Sequence, residues 1–246
     1  MIPYSTDTQT ENVPDLNYGL IIINYLVAIN LFVMTEKGKL LGKFMTYGLI
    51  SGRFFAHPDL DNIMTLFTSM FMHGSWSHLI GNMWFLFLFG GPCEDRMGKG
   101  RYFIFYILCG LAAAATQMAF IPGAKIPMIG ASGAISGVMG AYMCLFPMGK
   151  VKIWWGFGMG GANQVYFSAW FFLLFWFAYQ FLDMYIAVQL AHLAGTSIAK
   201  TGGVAWFAHI GGFVAGVFLV WFFKIPKVEK VDSKLDPDEP KWIRIK

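Results

Sequence analysis

Charge is what this chain has least of. Only 13% of its 246 residues are Asp, Glu, Lys or Arg, against about 25% in an ordinary globular domain. By contrast 57% are hydrophobic and 18% aromatic, and the mean hydropathy is +0.54. This balance excludes a water-soluble domain and indicates an integral, multi-pass membrane protein. Cysteine is scarce too: Cys93, Cys109 and Cys144 stand in or beside apolar segments, odd in number and without CxxC spacing. Neither a disulfide framework nor a zinc knuckle is indicated, and they read as packing residues. No basic stripe with interleaved aromatics is present, so no nucleic-acid partner is expected. None of His57, His73, His78, His192 and His209 is followed by Glu, and no two Asp residues share the apolar stretches. A metal-dependent or aspartyl intramembrane mechanism therefore lacks its groups, and no metal or cofactor is expected. The absence of repeats and charged pairs argues against a channel or transporter.

What is present is a series of apolar stretches of about 16 to 20 residues, close to the roughly 17 to 25 needed to cross a bilayer. They fall at about 18–34, 76–92, 101–120, 132–147, 165–182 and 204–223, which predicts six transmembrane helices. The expected organisation is all-α: a polar N-terminal tail over 1–17, a six-helix domain over 18–223 and a charged C-terminal tail over 224–246. The leader before the first stretch holds Asp7, Glu11 and Asp15, no Lys or Arg and no small-residue cleavage site; the stretch is expected to stay as an anchor. Residues 35–75 are too apolar for a solvated loop and read as short helices lying in the interface. Gly90 to Gly98, containing Pro92 and Glu94-Asp95-Arg96, reads as a turn with a capping role, and 183–203 as a mixed loop. The aromatic fifth stretch, with Trp170, Phe175 and Trp176, reads as a lipid-facing surface. If the N-terminus is cytoplasmic, twelve of the eighteen Lys and Arg residues fall inside and six outside. The positive-inside rule then places both termini in the cytoplasm, with a bacterial inner membrane as the expected location.

Polar residues inside such stretches are costly in lipid and default to function. Ser132, in Gly130-Ala131-Ser132-Gly133, opens the fourth stretch and His209 lies near the start of the sixth, while His78 and Asn82 lie near the start of the second. With alternating direction across the membrane, all four fall near the outer face at one depth. The fifteen residues from Ser132 to Phe146 span roughly 22 Å as a helix, less than a hydrocarbon core of about 30 Å, so Ser132 lies below the surface. A hydroxyl and a distant imidazole at matching depth suggest a nucleophile and its base. Glycines supply a route for their meeting: Gly133, Gly137 and Gly140 line one face of the fourth helix, and Gly212 and Gly216 continue the His209 face of the sixth. Small faces let helices close together. Ser136 shares that face and reads as packing. His57 and His192 fall in loops.

Three motifs in order resemble the rhomboid family of intramembrane serine proteases: the HxxxxHxxxN spacing of His73, His78 and Asn82; Gly130-Ala131-Ser132-Gly133; and Ala208-His209-Ile210-Gly211-Gly212-Phe213 with Gly216. The match covers about residues 18–223. It implies a Ser132/His209 catalytic dyad, with His78, Asn82 and the Ser132 backbone amide stabilising the oxyanion. It implies substrates that are single-span transmembrane proteins, cut near the outer membrane face in segments able to leave helical form. The fifth helix would form a lateral gate, and Glu94-Asp95-Arg96 would be structural. No triad acid is expected, because Glu94 and Asp183 sit at the ends of the predicted helices. Some rhomboids place an aromatic residue four positions after the serine, against the histidine; that position is Ser136 here, which leaves the support of His209 open. The rival function is a catalytically silent rhomboid-like protein that binds membrane helices for trafficking or quality control.

Overall fold

The computed structural model describes residues 2–155, 163–196 and 204–225. Its long helices are α1 (Asp15–Phe32), α5 (Trp76–Met97), α6 (Lys99–Phe120), α7 (Ser132–Leu145), α8 (Ala169–Leu193) and α9 (Trp206–Phe223). Between α1 and α5 the chain forms three short helices, α2 (Leu40–Tyr47), α3 (Ser51–Ala56) and α4 (Leu60–Thr68), with 3-10 turns at Lys37–Lys39 and Ser69–Phe71. Helices suit such a chain because backbone polar groups in hydrocarbon must be satisfied within the segment. Four of them, α1, α6, α8 and α9, are long and apolar enough to cross a membrane. Helix α7 is apolar but has only 14 residues, about 21 Å. Helix α5 has the length, but it carries His78 and Asn82 at one end and Glu94, Asp95 and Arg96 at the other.

The all-α expectation needs correction. Strands β1 (Ile2–Thr6), β2 (Lys150–Trp155) and β3 (Asn163–Ser168) form an antiparallel sheet in the order β1-β2-β3. Ile2 stands opposite Trp154 and Thr6 opposite Val151, with an irregularity between Pro3 and Ser5; Val151 pairs with Phe167 and Ile153 with Val165. Val151 and Ile153 are buried while Trp154 is exposed, the period-two alternation of a half-buried strand. Residues 1–17 are thus not simply a tail, since they supply β1 and the start of α1. Most of the expected tail over 224–246 lies outside the described residues.

Two helices run further than their hydropathy suggested. Helix α5 passes through Pro92 and ends at Met97, so the expected turn over 90–98 contracts to Gly98, which has φ +76°. There Glu94 is buried and its carboxylate accepts from the backbone N–H of Leu16 (3.2 Å) and Asn17 (2.7 Å). It caps a helix end, but that of α1. Helix α8 reaches Leu193, so the expected loop over 183–203 is helical in its first half and His192 is not in a loop; residues 197–203 lie outside the described residues. Both Glu94 and Asp183, placed at helix ends by hydropathy, stand inside helices. Apolarity marks where lipid contact ends, and a helix has no reason to stop there when protein or water satisfies its next turn.

The two ends of the bundle differ. At one end Asp95 accepts from the backbone N–H groups of Glu11 and Asn12, both at 3.0 Å, and the Ile225 amide donates to the Arg96 carbonyl at 2.8 Å. The start of α1, the α5–α6 turn and the end of α9 therefore lie together. The starts of α5, α7 and α9 occupy the opposite end.

Candidate active site

Ser132 is the first residue of α7 and is half-buried. The strand-like segment leading to it is pinned by the short helices. Leu49 and Met128 exchange backbone hydrogen bonds of 3.1 and 2.8 Å, the Gly52 amide donates to Ala124 O at 3.0 Å, and the Gly130 amide donates to Ser69 O at 2.9 Å. Gly130 has φ +127°, a conformation that disfavours any side chain. A Cβ there would also lie 2.9 Å from His78 Nε2 and 3.6 Å from Asn82 Nδ2. His78 and Asn82 thus flank the turn immediately before Ser132. A cavity of about 20 Å³ opens beside Ser132, between Ser69, Gly130, Gly133 and Ala208, the room of about one water molecule.

Ser75 starts α5 by accepting the His78 amide on its hydroxyl at 3.1 Å, which sets His78 in the first turn. One turn on, Asn82 is buried and its Nδ2 bonds His73 Nε2 at 2.9 Å. The amide is the donor, so that ring nitrogen is unprotonated. His73 is fully buried, with its ring edge-on to His78 at 5.0 Å. Burial first, and then the neighbouring His78, pushes the His73 pKa down to about 4. A neutral His73 thereby fixes the Asn82 amide and leaves the second Nδ2 hydrogen for another acceptor.

His209 lies in the first turn of α9, whose N-terminus is partly satisfied by Gln117 Oε1 accepting from the Ala208 amide at 3.2 Å. Helices α7 and α9 meet through their glycines. A Cβ on Gly212 would stand 2.0 Å from Gly133 O, one on Gly216 1.9 Å from Gly137 O, and one on Gly140 2.4 Å from Phe213 O. On its far side Gly137 faces Cys109 of α6. Gly133 follows Ser132 and Gly212 lies one turn after His209, so the closest approach of the two helices borders the two candidate residues. Among the described residues, the Ser132 hydroxyl makes no hydrogen bond, and the His209 ring bonds only through Nδ1. Ser136 Oγ donates to Ser132 O at 2.7 Å, a helix back-bond that accounts for its burial.

The support of His209 comes from α8, a source the sequence reading missed. Gln180 Oε1 lies 2.8 Å from His209 Nδ1, and the Trp176 ring lies 5.9 Å from the imidazole, tilted by 38°. Asp183 is nearby but accepts from Trp206 Nε1 at 2.7 Å. A signal existed, because a glutamine amid aromatic residues of a membrane helix is as costly there as a histidine. Helix α8 is also not a uniform lipid face: Trp176 and Phe177 pack toward the core, while Trp170 and Phe175 are exposed.

The bundle thus gathers the start of α1, the α5–α6 turn and the end of α9 at one end, and the polar residues His78, Asn82, Ser132 and His209 near the other. Residues 60–225 match the rhomboid domain, and the chain belongs to the rhomboid family. It is 26% identical over 212 residues to Rhomboid protein 1, mitochondrial, of Saccharomyces cerevisiae, covering 85% of this chain and 53% of that one. Rhomboid-like protein 11, chloroplastic, of Arabidopsis thaliana is 27% identical over 159 residues, 63% of this chain and 50% of its own. Rhomboid-like protease 3 of Toxoplasma gondii is 26% identical over 178 residues, 72% and 55% respectively. The chain spans about half the length of these relatives.

Proposed function

We propose that this protein is an intramembrane serine endopeptidase that cleaves transmembrane segments of single-span membrane proteins near the outer membrane face. The observation that carries the reading is the apposition of the starts of α7 and α9 through Gly133 and Gly212, the helix ends that carry Ser132 and His209. Ser132 Oγ attacks the scissile carbonyl carbon while its proton passes to His209 Nε2. That proton then goes to the leaving amide nitrogen as the C–N bond breaks. Water, deprotonated by the same imidazole, hydrolyses the acyl-enzyme and regenerates the hydroxyl. The oxyanion is met by the Ser132 amide, by the free Nδ2 hydrogen of Asn82 and by His78, whose Nδ1 faces the Gly74 amide at 3.5 Å and so leaves Nε2 to donate. Removing one such donor typically costs about 3 to 4 kcal/mol in the transition state. That no hydrogen bond joins Ser132 to His209 among the described residues is compatible with catalysis, since such bonds often tighten only with substrate present.

We place six crossings in the membrane, α5 and α7 included, because both begin beside the sunken groups and end in the opposite layer. The start of α1 and the end of α9 then face the side away from the site. The basic residues near Arg96, Lys99, Lys150 and Lys224 support a cytoplasmic or equivalent face there. Two relatives carry organellar names, so the bacterial inner membrane expected from composition is not carried forward.

The test is labelling of purified protein with a fluorophosphonate, together with cleavage of a model transmembrane substrate, for the wild type and Ser132→Ala. Labelling and cleavage should both vanish in the variant, and in His209→Ala, without loss of folding. Near-normal cleavage by Ser132→Ala would overturn the serine mechanism, and a wild type that neither labels nor cleaves would favour the silent helix-binding function.

A further inference from the structure

Gln180 is 6% exposed and sits at the middle of α8, surrounded by aromatic residues. Its side-chain amide makes two contacts of opposite kind. Nε2 donates to the Trp176 backbone carbonyl at 3.3 Å, one turn back along the helix, and Oε1 lies 2.8 Å from His209 Nδ1. The first contact decides the second. Turning the amide over would set Oε1 against the Trp176 carbonyl, two acceptors face to face in a site that excludes water. With the amide nitrogen committed to the carbonyl, Oε1 is the atom that meets the imidazole, and an amide oxygen only accepts. His209 Nδ1 must therefore carry the proton.

We propose that Gln180 is the positioning residue of His209, holding the imidazole as its Nδ1–H tautomer and leaving Nε2 unprotonated, the form a base for Ser132 needs. The inference rests on the dyad reading and deepens it. It supplies the orienting partner that a triad carboxylate provides elsewhere, but without a net charge inside the bilayer. Asp183, three residues further on, is engaged by Trp206 Nε1 at 2.7 Å, so it is not that partner. The ring is confined on a second side by Trp176, which limits tilt but does not choose a tautomer. A neutral acceptor has a further consequence. It fixes orientation and stabilises the imidazolium less than a carboxylate would, so catalysis keeps more of its activity toward acid pH than a triad enzyme. The ionisable groups acting on His209 are His78 from α5 and Asp183 from α8, and both are unchanged in the variants below.

The experiment compares full-length wild type, Gln180→Met and Gln180→Glu in lipid nanodiscs. It measures kcat and KM on a model transmembrane substrate across pH, melting temperature, and the 15N chemical shifts of labelled histidine. Wild type should show Nδ1 protonated and Nε2 free. Gln180→Met, similar in shape but without the acceptor, should lose this signature. Its kcat should fall about 10- to 100-fold as the ring leaves its productive pose, with KM within about twofold. Gln180→Glu should recover much of the lost turnover, with the acid limb of kcat/KM moved upward by about one pH unit or more, because a carboxylate favours the imidazolium. A Gln180→Met protein with wild-type kcat and an unchanged tautomer signature would overturn the proposal. So would a loss of kcat matched by a loss of melting temperature with the signature intact. The two layers separate cleanly: a Gln180-dependent signature in a protein whose Ser132 takes no fluorophosphonate keeps the contact and removes the protease. A labelled Ser132 with a signature indifferent to Gln180 does the reverse.

Discussion

Adding one methyl group at Gly212 is expected to damage the site from a turn away. A Cβ there would lie 2.0 Å from Gly133 O and 2.9 Å from Gly133 C. Ordinary contact begins near 3.4 Å, so α9 and α7 must separate by about 1.4 Å or tilt to the same effect. The obstacle is backbone and has no rotamer to yield. Overpacking of this kind costs about 1 to 3 kcal/mol, offset by up to about 1 kcal/mol from the better helix propensity of alanine. A net loss near 1 to 2 kcal/mol should lower the melting temperature by a few degrees. The effect on chemistry is larger, because the displaced residue follows Ser132 and the displacing one lies a turn after His209. Misplacement of about 1 Å between reacting groups costs on the order of a hundredfold in rate. The assay is cleavage of a model substrate alongside thermal melting, with Gly19→Ala as the control. A Cβ on Gly19 of α1 meets nothing within 4 Å, so that change should be neutral or slightly stabilising and leave cleavage alone. Wild-type melting and turnover in Gly212→Ala would refute the close approach of α7 and α9 and, with it, the route from glycine spacing to a Ser132/His209 pair.

Asn82→Ala should lower kcat by tenfold to several hundredfold with little change in KM, as expected for a donor used when charge builds on the carbonyl oxygen; a raised KM at constant kcat would reassign it to substrate docking. Ser136→Ala should retain measurable turnover, since its hydroxyl is spent on Ser132 O, and complete loss with intact folding would mean that the wrong serine has been chosen. Glu94→Ala should cost about 2 to 3 kcal/mol by leaving the Leu16 and Asn17 amides without their charged acceptor, read as a fall in melting temperature that Glu94→Gln partly restores. His73 gives a pH dependence: its pKa drops from 6.5 unfolded to about 4 folded. Its contribution is therefore fully present above pH 6.5 and is lost as pH falls toward 4, by about 3 kcal/mol in all. His73→Gln should flatten that part of the melting-temperature profile, and an unchanged slope would refute the assignment.

Composition and spacing alone carried the membrane character, the approximate positions of the long helices and the glycine faces, and marked His78, Asn82, Ser132 and His209 as candidates. Each is a local property: an apolar run of sufficient length, or a polar group whose cost in lipid makes it conspicuous in one dimension. The sheet was not legible, because β1 pairs with β2 across nearly 150 residues and a short strand carries little periodic signal of its own. Helix α5 continuing through Pro92, and α8 through Asp183 to Leu193, escaped because hydropathy reports lipid contact rather than hydrogen bonding. The use of Glu94 as a cap for α1 depends on a helix packing against it from far upstream. Gln180 is the clearest case. Its type was visible in the sequence, but its role exists only because α8 packs where its amide can reach the ring of a histidine on α9, and a hydrogen bond between helices is a property of their packing, which tertiary structure alone decides.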